Sequence, residues 1–491
     1  MGRKLVLTCG CVALVLGASA SSATSPGPSF AGPKAYRAGA EPWRLAIADL
    51  NGDDRPDLAV TSVNQASLTD TVSVLRNIGR GEFHRNATYK LGKGPGSLAA
   101  TDLDGDGSAD LAIADVSSDA VSVLLNARDG GFRPRRDYRT GGSPQALASA
   151  DLNGDTLPDL VVADWFSNSV SVLLNQGDGI FGASRDFAAG AHPNRLAVTD
   201  LNGDGRPDLA AASAFGSSLS VLLNRGDGIF GPRRAYPVAS SLNELVPADL
   251  SGDGRPDIAA TNGTDEVSVS VNNGDGSFGA PHEYPTGKGS RQLVAGDLNG
   301  DGRRDLATAN DAGTVSVLLN TGNATFAALR TYRAGSDPVD LAVADLDRDG
   351  RPDLVTANRA VVAENTVTVL ANRGNGTFSA RNFEADVGPS QLAVADLNGD
   401  RLPEVVTANG QSHAVFVLNN ATGRCGVPKV RRETLAAAKR EIARSGCRVG
   451  GLRRIHSSVR RGRVISQRPI SGTVLQAGST VKLVVSRGRR H

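Results

Sequence analysis

Cysteine, methionine, tryptophan and histidine are all scarce in this chain of 491 residues, which holds four, one, two and six of them. Four cysteines are too few for a disulfide-dense scaffold. The histidines (His84, His192, His282, His413, His456 and His491) are scattered, so no imidazole or thiolate ligand spacing is present. No Ser/His/Asp order and no glycine-rich phosphate loop appears, and no residue is assigned a catalytic role. Aromatics make up 4% of the chain, whereas Gly and Pro number 58 and 23. That balance suits short strands joined by tight turns and argues against a helical bundle. Apolar residues reach 40%, enough to build a core. The formal charge is +2, but it is unevenly placed. Residues 421–491 carry 18 Lys and Arg against Glu433 and Glu441, a net of +16, and residues 31–420 carry a net of −16.

Residues 1–23 read as a secretory signal peptide. Arg3 and Lys4 open it, Leu5–Gly17 is apolar, and Ala18-Ser19-Ala20 supplies a small-residue cleavage pattern. No later segment approaches the roughly 18 apolar residues of a membrane span, so no transmembrane segment is expected. Cys9 and Cys11 fall in the signal, and Cys425 and Cys447 remain. Outside the cytosol such a pair is expected to form a disulfide.

A nine-residue string beginning Asp-Leu recurs at Asp49, Asp102, Asp151, Asp200, Asp249, Asp297, Asp345 and Asp396, spaced 48–53 residues apart. Each period contains the same parts. Around Asp200, Leu196–Thr199, Leu209–Ala212, Leu219–Leu223 and a run ending at Tyr236 read as four strands. Four strands per period describe a β-propeller blade. Tyr36, Tyr89, Tyr138, Tyr236, Tyr284 and Tyr332 share one slot, completed by Phe187 and Phe383, and a second slot is always Phe. Both read as packing between blades. Phe30–Tyr36 precedes the first aspartate loop, and the last repeat stops after its third strand at Asn420. The N-terminal strand can therefore complete the last blade. The expected fold is all-β, an eight-bladed propeller over 24–420 with seven blades as the alternative, followed by a small α+β domain over 421–491.

The pattern resembles the FG-GAP/VCBS repeat family, whose best-known members form the propeller of integrin α subunits. The matching residues are Leu-Ala-Val-Ala-Asp-Leu at 341–346, Asn-Gly-Asp-Gly-Arg-Pro-Asp at 202–208 and Gly-Asp-Gly-Ile-Phe-Gly at 226–231. Arg225-Gly226-Asp227 spells an integrin-recognition tripeptide, but it lies in this recurring turn and is read as chance.

Each aspartate loop offers oxygen side chains at positions 1, 3, 5 and 9. The candidate ligands are Asp49, Asn51, Asp53 and Asp57; Asp102, Asp104, Asp106 and Asp110; Asp151, Asn153, Asp155 and Asp159; and Asp200, Asn202, Asp204 and Asp208. The second half of the chain adds Asp249, Ser251, Asp253 and Asp257; Asp297, Asn299, Asp301 and Asp305; Asp345, Asp347, Asp349 and Asp353; and Asp396, Asn398, Asp400 and Glu404. An all-oxygen set with a carbonyl at position 7 suits Ca²⁺. Integrin-type propellers hold calcium in such loops, which is what the resemblance implies here. So many carboxylates without compensation repel, and eight Ca²⁺ would offset the −16 of this region. The loop at 249 has Ser at position 3. Those at 49, 151 and 396 lack glycine at position 6, and the last ends in Glu404, so it is expected to bind weakest.

In 421–491, Leu435, Ala438 and Ile442 mark one face of a helix over 434–444, and Val464–Gln467 and Val481–Val485 read as strands. Val-Pro-Lys-Val at 427–430, Gln467–Gly472 and Val484–Gly488 resemble a PASTA domain, a module associated with peptidoglycan. Peptidoglycan or an anionic cell-wall polymer is the partner this implies. The scarcity of aromatics in the tail argues against nucleic acid. Trp43 and Trp165 are loop candidates for stacking on a sugar, and Asp164-Trp165-Phe166 breaks the repeat pattern.

The reading is a secreted, extracellular or cell-wall-associated bacterial calcium propeller that binds a glycan or protein ligand. An extracellular polysaccharide lyase or hydrolase, and a structural spacer, are the alternatives.

Overall fold

The computed structural model describes residues 27–64, 69–215, 218–238, 242–359, 365–475 and 479–489. The proposed signal peptide, with Cys9 and Cys11, lies outside them, as do parts of the two short insertions near 61–70 and 358–365.

Eight four-stranded antiparallel sheets form, one for each aspartate loop, and each is here called a blade, numbered from the loop at Asp49. In blade 4 the strands are Pro193–Thr199, Asp208–Ser213, Ser218–Leu222 and Arg234–Pro237, from inside to outside. The innermost strands lie side by side in a closed circle, with Glu41–Ala48 of blade 1 beside Pro389–Ala395 of blade 8. The fourth strand of blade 8 is Lys34–Arg37, which pairs with Ala414–Leu418 from Lys34 opposite Val417 to Arg37 opposite Ala414. A further bridge joins Phe30 to Asn420. The two ends of the repeat array thus share one sheet, and the third strand of blade 8 is not left as an edge.

Alternation along each strand divides its side chains between the two neighbouring blades. Leu209 and Ala211 pack with Leu152, Val161 and Val172 of blade 3, whereas Ala210 and Ala212 pack with Leu245 and Ile258 of blade 5. The same division around the circle makes eight separate apolar cores, each lying between two blades. Burying each Val or Leu contributes about 1.5–3 kcal/mol. The Tyr and Phe slots meet across these seams: Tyr138 stands edge-on to Phe181 at 5.3 Å and Tyr236 to Phe278 at 5.4 Å.

The C-terminal domain has its own core of Val427, Val430, Ala438, Ile442, Val464, Val481, Leu483 and Val485. Its helix, Leu435–Arg444, is capped by Thr434, whose hydroxyl accepts from Ala437 N at 3.2 Å. The Thr480–Ser486 strand is central, parallel to Arg448–Ile455 and antiparallel to Val464–Arg468. Cys425 and Cys447 are joined in a disulfide. The domain touches the propeller where Gly32 N donates to Val427 O at 3.3 Å and where Lys429 meets Glu384 at 3.1 Å. Among the described residues, no helix is long and apolar enough to cross a membrane.

Candidate metal loops

The aspartate loops connect the innermost and second strands, so all eight lie on one rim of the ring, together with the Gly-Asp-Gly-type turns between third and fourth strands. In the loop at 200, Asp200 accepts from Gly203 N at 2.7 Å and from Gly205 N at 2.8 Å. Asn202 Oδ1 accepts from Asp204 N at 2.9 Å. Asp208 is fully buried and accepts from Leu201 N at 2.9 Å and Asn224 N at 2.7 Å. The carboxylates therefore curl the backbone around themselves before any cation is considered.

Gly205 has φ +82°, a conformation that costs a side-chain-bearing residue about 1–2 kcal/mol. Asp54, Thr156 and Arg401 take the same position with φ of 61°, 74° and 69°, and each still donates its N–H to the first aspartate of its loop. These three loops keep the path and carry strain instead.

The position-9 carboxyl is raised above its ordinary value in all eight loops. Burial pushes the carboxyls of Asp57, Asp159 and Asp305 up to about 6 and that of Asp110 to about 7. Glu404 rises to about 8 by the same cause. Two backbone N–H donors oppose this at each site without overcoming it. A buried carboxylate this unfavourable calls for a cation or a proton.

In two loops three carboxylates converge. One carboxylate oxygen from each of Asp102, Asp104 and Asp106 lies within 4.8 Å of the others, and so do those of Asp345, Asp347 and Asp353. Asp347 Oδ1 is buried without a hydrogen-bond partner. These oxygens fit a hard cation such as Ca²⁺. In the other six loops Asn or Ser stands at position 3 and supplies a neutral oxygen.

One electrostatic expectation needs correction. The loop carboxylates are not uncompensated, because position 5 pairs with an arginine in seven loops. Arg206 meets Asp204 at 2.6 Å and Arg303 meets Asp301 at 2.6 Å. Arg255 meets Asp253 at 2.5 Å, and Arg55 and Arg351 pair with Asp53 and Asp349 in the same way. Arg128 reaches Asp106 at 2.7 Å and Arg424 reaches Asp400 at 2.9 Å. In five of these loops the arginine is position 7 of the same loop, two residues beyond its aspartate, whereas Arg128 and Arg424 reach in from the turn that follows the third strand. Pairs whose arginine is exposed are worth little, and among the described residues none of them involves position 1 or 9.

A second set of residues was not visible as functional in the sequence. The asparagine that opens each outer turn donates its side-chain amide to the aspartate loop of the preceding blade. Asn224 Nδ2 donates to Leu152 O at 2.8 Å, Asn175 to Leu103 O at 2.8 Å, and Asn77 of blade 1 to Leu397 O of blade 8 at 2.7 Å. Asn126, Asn272, Asn320, Asn372 and Asn420 complete the circle. The recurrence of Asn at that turn position was the available signal. Trp43, expected in a loop, instead occupies a bulge in the innermost strand of blade 1, where Arg44 lies 5.0 Å from its ring centre.

In the C-terminal domain, Arg448, Arg453, Arg468 and Lys482 are exposed on the three-stranded sheet. Arg468 pairs in register with Lys482 on adjacent strands. Both line a cleft of about 550 Å³ with Pro469, Ile470 and Thr480.

Comparison with known proteins agrees with this architecture. An FG-GAP-like repeat matches at 49–113, 102–162, 151–211, 200–260, 249–308, 297–356 and 359–407. The overlapping matches take in all eight aspartate loops. A PASTA domain matches at 426–487. No curated protein matches the chain. Among solved structures, Saccharomyces cerevisiae Sqt1 is similar at 12% identity and a TM-score of 0.60, over 80% of this chain and 99% of that one. The V. cholerae biofilm matrix protein Bap1 is similar at 13% identity and a TM-score of 0.50, over 84% of this chain and 91% of the other. An Agrocybe aegerita lectin that recognises non-reducing terminal N-acetylglucosamine aligns at 23% identity and a TM-score of 0.44, over 59% and 80%. The chain belongs to the FG-GAP-like repeat family and carries a PASTA domain at its C-terminal end.

Proposed function

We propose that this protein is a secreted, calcium-stabilised propeller that acts as an adhesion module, binding a glycan or a protein, and is held at the cell wall by its PASTA domain. The observation that carries the reading is the ring of eight aspartate loops, each with a fully buried position-9 acid and each tied by an asparagine to the next blade. Bound Ca²⁺ would be held by positions 1, 3, 5 and 9 and would supply charge compensation for the buried carboxylates. Because each loop is chained to its neighbour, that compensation would stiffen the whole ring and hold the opposite rim as a rigid display surface. The disulfide supports an oxidising compartment. The repeats are nearly uniform in sequence, which favours binding over catalysis. On the PASTA domain, the exposed cations of the Arg468–Lys482 face suit an anionic wall polymer or muropeptide.

The test is calcium and wall binding in the intact chain. Chelation by EGTA should lower the melting temperature, since a ligand of the folded state stabilises it by mass action. Replacing Asp200 and Asp204 together with Ala should remove about one ion per chain by elemental analysis, given one ion per loop. Unaltered melting in EGTA, with no calcium in the purified protein, rejects the metal half. The full chain should sediment with purified peptidoglycan, and the triple variant R448E/R468E/K482E should not. Equal sedimentation of the two rejects the wall half.

A further inference from the structure

The rim opposite the aspartate loops is built from the connections between second and third strands and from the segments leading into each innermost strand. Of the eight second-to-third-strand connections, only those of blades 3 and 4 contain Trp or Phe: Trp165 and Phe166, and Phe215. The structure brings Trp165 and Phe215 together with His192, which leads into blade 4. Ring centres lie 5.1 Å apart for Trp165 and His192, 5.5 Å for Trp165 and Phe215, and 5.5 Å for His192 and Phe215. Phe215 remains 69% exposed and the adjacent Phe166 72%. Elsewhere the aromatic pairs of the fold are packed into the seams between blades. This cluster has no such use.

Its geometry is held from below. Trp165 N donates to Ser143 O at 3.0 Å and Phe166 N to Gly142 O at 2.9 Å. His192 N donates to Asn168 Oδ1 at 2.8 Å, and His192 O accepts from Ala214 N at 3.0 Å. His192 Nδ1 lies 3.0 Å from Trp165 O, and because a carbonyl oxygen only accepts, Nδ1 is the donor in this contact. His192 holds φ +53° at a position taken by Gly94, Gly289 and Gly388 in other blades and by Ser143 and Asp337 with φ of 59° and 46°. The rings touch one another and enclose no cavity, which excludes a cage around a cation. Polar groups beside them include the uncharged Ser167, whose hydroxyl accepts from Gly142 N at 2.6 Å, and Asn168, while the Asp119 carboxylate accepts from Ser143 N at 2.7 Å in the neighbouring segment.

We infer that the Trp165–His192–Phe215 cluster is the stacking platform for a neutral, β-linked pyranose glycan, which deepens the binding-module reading and rests on it. A pyranose with equatorial substituents presents a flat C–H face to aromatic rings and hydroxyls to the amide and imidazole beside them. A pre-ordered platform binds without the cost of arranging its own side chains. The platform supplies no lysine or arginine of its own to an anionic polymer, so it and the basic C-terminal face take different ligands.

Trp43 and Trp165 are the only indoles, so Trp43→Phe makes Trp165 the single fluorescent reporter. Titration of that full-length variant with cellohexaose and with chitohexaose, in saturating Ca²⁺, should give a saturable change in Trp165 emission for at least one. Adding Phe215→Ala or His192→Ala should weaken the affinity about tenfold or more, a change of about 1.4 kcal/mol, with melting temperature and calcium content unchanged. No saturable change with either oligosaccharide overturns the inference. So does an affinity that both substitutions leave intact. Calorimetry separates the levels: if Trp165→Ala/Phe215→Ala binds these oligosaccharides as the unsubstituted chain does, the module reading stands and the platform is wrong. If the unsubstituted chain gives no heat, the platform is wrong and the module reading is decided by the peptidoglycan experiment alone.

Discussion

One asparagine per blade does what no aspartate of the loops does, which is to join neighbouring repeats through a side chain. Asn224 donates to Leu152 O at 2.8 Å and to Pro207 O at 3.0 Å, and its own oxygen accepts from Gly226 N at 2.9 Å. Asn224→Asp keeps the volume and removes the donor, leaving two carbonyls facing a carboxylate. A loss of about 2–4 kcal/mol is expected in chemical denaturation, since each unsatisfied buried group costs about 1–3 kcal/mol. A loss below about 0.5 kcal/mol, the level of an ordinary surface change, would show that the amide is not a staple. A second residue-scale prediction concerns protons. Ser171 Oγ lies 2.6 Å from Asp164 Oδ2 and 2.7 Å from Asp186 Oδ1, and one hydroxyl can donate to only one of them. A protonated Asp164 resolves this, and burial pushes its carboxyl from the usual 3.8 up to about 7. A raised carboxyl binds its proton more tightly in the folded chain. Its contribution is therefore full below about pH 4 and is lost as pH rises through 7. Asp164→Asn keeps a donor at every pH, so with calcium saturating its melting temperature should fall less than the parent's between about pH 5 and 8. Parallel curves would refute the assignment.

Among the elements, the C-terminal helix and its disulfide were legible and one strand was not. Thr434 before a run of good helix formers marks the N-cap, and the structure places it there. Thr434→Ala should cost about 1 kcal/mol in the transition of this domain. Cys425 and Cys447 close a loop with a sequence separation of 22, so Cys447→Ser should destabilise the domain by about 3 kcal/mol. Calorimetry of the full chain should show an early transition appear while the propeller transition stays in place. The strand Arg448–Ile455 escaped sequence reading because Arg-Val-Gly-Gly-Leu-Arg-Arg-Ile has no two-residue alternation. It is a strand because it lies parallel to Thr480–Ser486, with a register shift between Val449 and Leu452 that absorbs the two glycines. A neighbour made it a strand, and no local propensity did.

At the scale of the whole molecule, closure decides stability. Lys34–Arg37 covers Ala414–Leu418, and Phe30 packs edge-on against Phe383 of blade 7 at 5.1 Å. Deleting 27–37 uncovers the third strand of blade 8 and one side of an apolar core. The shortened protein should elute as aggregates in size-exclusion chromatography with light scattering, because an exposed edge strand templates pairing. A monomer with parental melting would show that the ring does not depend on this strand.

The sequence by itself determined the repeat, its four strands, the slots of Tyr and Phe, and the positions of the loop oxygens. All of these recur at a constant interval, and short-range pattern and turn chemistry suffice to read them. Only the tertiary structure decided the rest, since it depends on residues far apart in the chain coming together. The asparagine staples span about 70 residues within the ring, and Asn77 with Leu397 spans 320. The pairing of Asp106 with Arg128 and of Asp400 with Arg424 required knowing how the turn after the third strand lies beside the loop. Trp165, His192 and Phe215 look unrelated in the sequence. They meet because blades 3 and 4 are neighbours, and the right-angled packing of their rings is set by backbone hydrogen bonds that no periodicity announces.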